Sequence, residues 1–147
     1  MLLSYFFVHT IIIVGEVRGP EAIDMLQAMN TGHDGSLSTG HANSPKDMIS
    51  RLETMVLGAM EIPVSAIDRQ IASAIDLIVH LGRLRDGSRK VLEIVEIAGY
   101  QEQEIKLRPL YIFRETGEQD GKIQGYLEKQ EVLLQRRKLL AAGCQSG

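Results

Sequence analysis

The sequence predicts an α/β fold, and three observations carry that expectation. Residues 6 to 14, FFVHTIIIV, form an apolar, β-branched run that stops at Gly15. A stretch of helical period follows, with Ala22, Ile23, Leu26 and Met29 on one face. Beyond Asp76 the apolar period shortens to two, on both sides of Asp86-Gly87. A buried strand feeding a helix is the unit of a parallel sheet, whereas period-two runs about an Asp-Gly pair make an antiparallel hairpin. The 147 residues, 44% apolar and 24% charged, suit one ordinary domain and argue against disordered, collagen-like or coiled-coil structure.

The elements follow in order. Pro20 suits the first turn of a helix, where its missing N–H would be unpaired anyway, and that helix should end near residues 30 to 32. The Gly, Ser and His-rich segment GHDGSLSTGHANS holds a short second strand over residues 37 to 41. Ser44-Pro45 with Asp47 is a helix start: a cap, a proline at the first position and an acid in the first turn. Met48, Leu52, Met55, Val56 and Ala59 then line one face, and after Pro63 the residues Ile67, Ile71, Ala74 and Ile75 line another. Residues LIVHLGRL and RKVLEIVEIAG form the hairpin, and residues 105 to 114 form a third strand that Pro109 interrupts or places on an edge. Residues 115 to 125 read as a polar turn region, followed by a helix from about Tyr126 to Ala142.

Net charge is -3, with 4 Lys/Arg against 8 Asp/Glu in residues 1 to 75 and 12 against 11 in the remainder, which speaks against a nucleic-acid partner. Arg83, Arg85, Arg89 and Lys90 cluster around the hairpin turn. The single cysteine, Cys144, permits no intrachain disulfide, and a reducing cytoplasm is the default compartment. The N-terminal apolar run is shorter than the roughly 20 residues a bilayer span needs, and it lacks the charged start of a secretory signal. It reads as a strand buried on both faces rather than a membrane tether.

The chemistry concentrates in IIIVGEVRG. An acid at the C-terminal end of a buried strand sits where an open parallel sheet places its ligands, and such a carboxylate can hold Mg²⁺ through a water. Glu16 is that acid, although alone it reads first as a surface carboxylate. His33 and His41, with Asp34 and Cys144, are conceivable zinc ligands, but no CxxC or HxxxH spacing supports such a site. His9 and His80 lie in strand runs and read as structural. The methionines Met25, Met29, Met48, Met55 and Met60 read as core filler.

A second constellation changes the weight of the first. GEVRG, a helix, and then Gly32, His33, Thr39, His41 and Asn43 resemble the Walker B motif and the histidine box, GHxxxxxTxHxN, of the type II and type IV secretion-system ATPase superfamily. Over residues 12 to about 115 the likeness is to the CpaF-like ATPases of tight-adherence (Flp) pilus systems. The resemblance implies the C-terminal part of a RecA-like P-loop ATPase core, with Mg²⁺ and ATP as cofactor and substrate. It implies a hexameric motor at the cytoplasmic side of the inner membrane, with other motor subunits and a membrane platform protein as partners.

Carried onto this sequence, the resemblance makes Glu16 the Walker B acid that positions Mg²⁺ and water. Arg18 completes the GExR pattern and holds the loop or senses the nucleotide. His33 and His41 sense the γ-phosphate, and Thr39 and Asn43 shape their loop. Arg83 and Arg85 could reach a neighbouring subunit's nucleotide, but solvated hairpin charges are the plainer reading.

No phosphate cradle GxxxxGK[ST] occurs in the 147 residues, and the only Gly-Lys pair is Gly121-Lys122. The acidic box that the family places ahead of Walker B is not recognisable either. The expectation is three segments: residues 1 to 10 of unrelated origin, 11 to 115 a partial RecA-like domain, and 116 to 147 a turn and helix. Such a chain should be inactive alone and prone to self-association through an uncovered strand. The alternative is a non-catalytic module that binds motor subunits or an inner-membrane partner.

Overall fold

The computed structural model describes residues 12 to 31 and 35 to 135. Two short strands, β1 (Ile13–Val14) and β2 (Leu37–Ser38), flank the helix α1 (Ala22–Asn30). Two more helices follow, α2 (Pro45–Leu57) and α3 (Val64–Ala74). An antiparallel meander then runs through β3 (Leu77–Arg83), β4 (Arg89–Gln101), β5 (Glu104–Gln119) and β6 (Lys122–Lys129). The mixed α/β class is therefore the one the periodicities announce.

The strand-helix-strand unit forms as expected, with β1 parallel to β2 and Ile13 opposite Leu37. Its burial differs from expectation. Ile13 is 72% exposed and Leu37 63%, so the end of the apolar run is not covered on both faces. Residues 6 to 11 and His9 lie outside the described residues. Among the described residues no helix is long and apolar enough to cross a membrane.

The three helices bury their apolar stripes against one another and against β4 and β5. Leu26 of α1, Leu52 and Val56 of α2, and Ile67 and Ile71 of α3 are essentially inaccessible, and Ile97 and Ile105 close the cluster from the sheet. Each such side chain contributes roughly 1.5–3 kcal/mol of transfer free energy, which holds three short helices that would be marginal alone. Ser44 caps α2, its hydroxyl accepting the Asp47 N–H at 3.0 Å, with Pro45 at the first helical position.

In the hairpin, Leu84 N–H donates to Ser88 at 2.8 Å and Gly87 N–H to Leu84 at 2.9 Å. Gly87 has φ +79°, as a three-residue hairpin loop closed by a left-handed residue requires. Pro109 lies opposite Val95 at a register shift, on the stretch of β5 that β6 does not reach, so its missing N–H breaks no ladder there.

Two expectations are corrected. Residues 115 to 125 are not a turn region, and the helix expected from Tyr126 does not begin there. β5 continues to Gln119, and Asp120-Gly121 turn the chain with φ of 52° and 69°, the pair of positive values a tight hairpin takes. β6 then pairs Tyr126 with Arg114 and Leu127 with Phe113. Apart from the buried Ile123, the outer halves of both strands are exposed, so no hydrophobic alternation marks them in the sequence. The remainder of the expected helix, from residue 136, lies outside the described residues.

Candidate functional site

The site is built where β1 ends. Gly15 leads into Glu16, Val17 and Arg18, and the loop is fixed on both sides. Val17 is 2% exposed and anchors it in the helical core, while its N–H donates to the Thr39 carbonyl at 2.9 Å. The Thr39 hydroxyl donates in turn to the Gly15 carbonyl. The threonine thus binds the loop after β1 to the loop after β2. At the far end, Glu21 Oε1 accepts the N–H groups of Arg18 at 2.8 Å and Gly19 at 3.0 Å. These bonds hold the Glu21 carboxyl below its usual range, the Arg18 N–H first among them, and fold the loop onto the start of α1.

Glu16 stands at the centre. Its Oε2 accepts a hydrogen bond from the Arg18 guanidinium, and His41 Nε2 lies 2.8 Å from Oε1. The Glu16 side chain is 23% exposed, whereas those of Arg18 and His41 are 73% and 81% exposed, so the guanidinium and the imidazole both approach from the solvent side. The Arg18 hydrogen bond is the main force lowering the Glu16 pKa. Burial opposes it, and the charges of Arg18, His41 and Arg51 add to it. The same pair raises the Arg18 pKa. Glu16 is therefore held as an anion.

Oε1 nonetheless accepts no hydrogen bond among the described residues, although His41 Nε2 lies 2.8 Å away. A buried carboxylate oxygen without a donor is a place for a metal-bound water, whose O–H would supply what the protein does not. The donor set thus fits a hydrated Mg²⁺ on Glu16.

Gly40 packs this turn closely: a Cβ there would come within 2.5 Å of Met48 Cε and meet Val17 as well. Asn43 is exposed between His41 and the Ser44 cap, so the histidine-bearing loop runs directly into α2. His33, together with Gly32 and Asp34, lies outside the described residues, as does Cys144. Among the described residues no group of three His, Cys, Asp or Glu side chains is placed to hold a metal. His80 is half-buried in β3 opposite Glu93.

Arg83 and Arg85 serve the meander. Arg85 grips Glu115 with both guanidinium nitrogens, Nη1 donating at 2.6 Å, and Arg83 Nε donates to the Gly87 carbonyl at 3.1 Å. Neither is brought to Glu16 by the fold.

Three contributors escaped the sequence reading. Glu21 could have been found as an acid just after a loop rich in free N–H groups. Arg51 lines an open cleft with Arg18, Gly19 and Pro20, and no motif marks it. Glu96 is a charge inside an apolar run, and that contrast is visible in RKVLEIVEIAG.

The profile of the family described as "Type II/IV secretion system protein" matches residues 10–139. The chain belongs to this family. A putative conjugal transfer protein of Mycobacterium tuberculosis, MT3759, is 43% identical over 84 residues, 56% of this chain and 23% of the relative. The conjugal transfer protein TrbB of Rhizobium radiobacter is 40% identical over 90 residues, 61% of this chain and 27% of TrbB. The type IV secretion system protein PtlH of Bordetella pertussis is 36% identical over 91 residues, 60% of this chain and 26% of PtlH. The chain thus spans about a quarter of the length of these secretion-family relatives.

A solved structure shares the fold. The VirB11 ATPase of the Brucella suis type IV secretion system, crystallised in complex with sulphate, superposes with a TM-score of 0.55 at 32% identity. The superposition covers 58% of this chain and 27% of VirB11.

Proposed function

We propose that this chain is the portion of a secretion or pilus-assembly ATPase that carries the Walker B acid and the histidine box. One observation carries the reading. Glu16 and His41 come from loops after two different strands, 25 positions apart in sequence, yet His41 Nε2 reaches Glu16 Oε1 at 2.8 Å. Membership of the type II/IV secretion family and the fold shared with a VirB11 ATPase support it.

In this proposal Glu16 holds a hydrated Mg²⁺ through Oε1, while Arg18 fixes the orientation of the carboxylate and keeps it ionised. When bound, Mg²⁺ with ATP supplies neutralisation of the phosphate charge. His41 reports the state of the γ-phosphate through the loop that Thr39 anchors and Asn43 closes, and the motif likeness gives His33 the same role. His41 is exposed and touches Glu16, so a change at the carboxylate is passed to the start of α2.

The narrower placement in the CpaF-like, tight-adherence pilus branch rests on the motif likeness, whereas the relatives carry conjugal transfer and type IV secretion names. The hexamer, the motor-subunit and inner-membrane platform partners, the cytoplasmic location and the distinct origin of residues 1 to 10 belong to the same proposal.

The 147 residues contain no GxxxxGK[ST], so the backbone cradle and lysine for the β and γ phosphates are not supplied by this sequence. The purified chain is expected to show no Mg-ATP hydrolysis above that of Glu16→Gln. Glu16-dependent turnover by the chain alone would overturn the proposal.

A further inference from the structure

An open cleft of about 410 Å³ lies between the loop after β1 and α2. Arg18, Gly19 and Pro20 line it from the loop, and Arg51, Thr54 and Met55 line it from α2. Pockets of roughly 300–1,000 Å³ are the size that takes small ligands. Two guanidiniums border this one and no carboxylate does.

Both arginines have donors to spare. Arg18 gives one Nη2 hydrogen bond to Glu16 Oε2, which leaves its Nε and Nη1 without an acceptor among the described residues. Arg51 is exposed, and among the described residues no hydrogen bond or ion pair engages its side chain. Two like charges that share a cleft repel each other, and an anion between them offsets that repulsion while accepting the spare N–H groups. Arg51 is also near enough to be felt at Glu16. After the Arg18 hydrogen bond, its charge is among the forces that lower the Glu16 pKa.

The cleft is distinct from the candidate metal position. Arg18 is bonded to Glu16 Oε2, whereas the oxygen without a donor is Oε1, beside His41. One carboxylate thus offers one oxygen to a hydrated cation and the other to a guanidinium that lines the cleft.

We propose that the cleft between Arg18 and Arg51 is a binding site for a phosphoryl group that both guanidiniums contact. A carboxylate has two oxygens in one plane and matches a single guanidinium fork, as Glu115 does with Arg85. A phosphoryl group carries about two charges and presents oxygens in several directions, so it serves two guanidiniums arriving from separate elements. Pro20 and Met55 add an apolar surface for an organic substituent on the phosphate. Occupation draws on Arg18, so the ligand and Glu16 compete for one guanidinium. Neither nucleotide nor Mg²⁺ is required, and phosphoryl binding is therefore separable from the proposed ATPase activity.

Titration of the full chain with sodium phosphate at pH 7.5 tests this, without nucleotide or divalent cation and with ionic strength held constant by sodium chloride. Nitrogen-15 NMR should show saturable shifts at the Gly19 amide and at the Nε–H groups of Arg18 and Arg51. Arg51→Gln should weaken binding about tenfold or more, as the loss of a charged hydrogen-bond partner does, at unchanged Tm. Glu16→Gln should tighten it, because Arg18 is released to the ligand. Arg89→Gln, at an exposed arginine of the meander, should leave it as it is. Phenyl phosphate identifies the source. Tighter binding than inorganic phosphate assigns the site to a phosphate ester whose organic part covers Pro20 and Met55, and equal binding assigns it to free phosphate. Equal affinity in Arg51→Gln and the unmodified chain, shifts that rise linearly without saturating, or acetate binding as tightly as phosphate would rule the site out.

Discussion

Single carboxylates do much of the joining in this chain, and Asp86 shows how. Read as a turn residue, it does accept from Ser88, at 2.8 Å from the N–H and 2.6 Å from the hydroxyl. Its second oxygen accepts the Ile123 N–H of β6 at 2.8 Å, so one side chain ties the β3–β4 turn to the β5–β6 hairpin. The Ser88 hydroxyl, then the Ile123 and Ser88 N–H groups, hold the Asp86 carboxyl far below the usual range. A carboxyl with a lowered folded pKa contributes stability above its unfolded pKa and loses it as pH falls through the folded one. Glu16, Glu21, Glu115 and Glu128 are lowered too and share that sign. Asp86→Asn should therefore speed amide exchange at Ile123 and flatten the loss of Tm on acidification. Unchanged exchange at Ile123 would show that the aspartate does not carry the link.

Among the elements, α2 matters most to the site, because its first turn receives the loop that carries His41. Ser44→Ala removes the side-chain acceptor for the Asp47 N–H and should cost about 1 kcal/mol, read as a lower denaturant midpoint with an unchanged slope. That cap was legible in the sequence because Ser-Pro-x-Asp is local chemistry. The stripes Leu26, Leu52, Ile67 and Ile71 were legible because a helix stripe repeats within a few residues. The extent of β5 and β6 was not. Residues 115 to 125 face solvent apart from Ile123, and the pairing of Tyr126 with Arg114 is decided by a partner strand rather than by local pattern. The same distinction runs through the site. Glu16, Arg18 and His41 announced themselves in motifs, and the resemblance assigned their roles. That Thr39 bonds Gly15, and that Glu21 clamps the loop, depends on two loops being folded together.

At the scale of the whole molecule the described residues form two separate sheets, the parallel pair at the site, with α1 between its strands, and the four-stranded meander, with α2 and α3 between the two sheets in sequence. The helical core joins them: Val17 from the site loop packs in the same cluster as Ile97 and Ile105 of the meander. On the meander, Glu96 performs a second joining role. It is 1% exposed and accepts Arg108 Nη1 at 3.0 Å, together with the N–H groups of Leu134 at 3.1 Å and Gln135 at 2.8 Å. The Gln135 side chain also donates to the Ile97 carbonyl at 3.0 Å, and Arg108 reaches Glu131 with its other nitrogen. One buried anion therefore pins the chain that follows β6 back onto β4. Removing it leaves two N–H groups without an acceptor and deprives a mostly buried arginine of one partner, a loss of about 3 kcal/mol for a broken buried pair. Glu96→Ala should lower the denaturant midpoint accordingly and raise amide exchange at Leu134 and Gln135 more than at Ile97, whose N–H is held by the Asp76 carbonyl at 3.0 Å. Lys106→Ala, which breaks only solvent-facing pairs with Glu102 and Glu104, should change little. Equal effects from the two substitutions would mean that the chain after β6 is held by its apolar contacts rather than by Glu96.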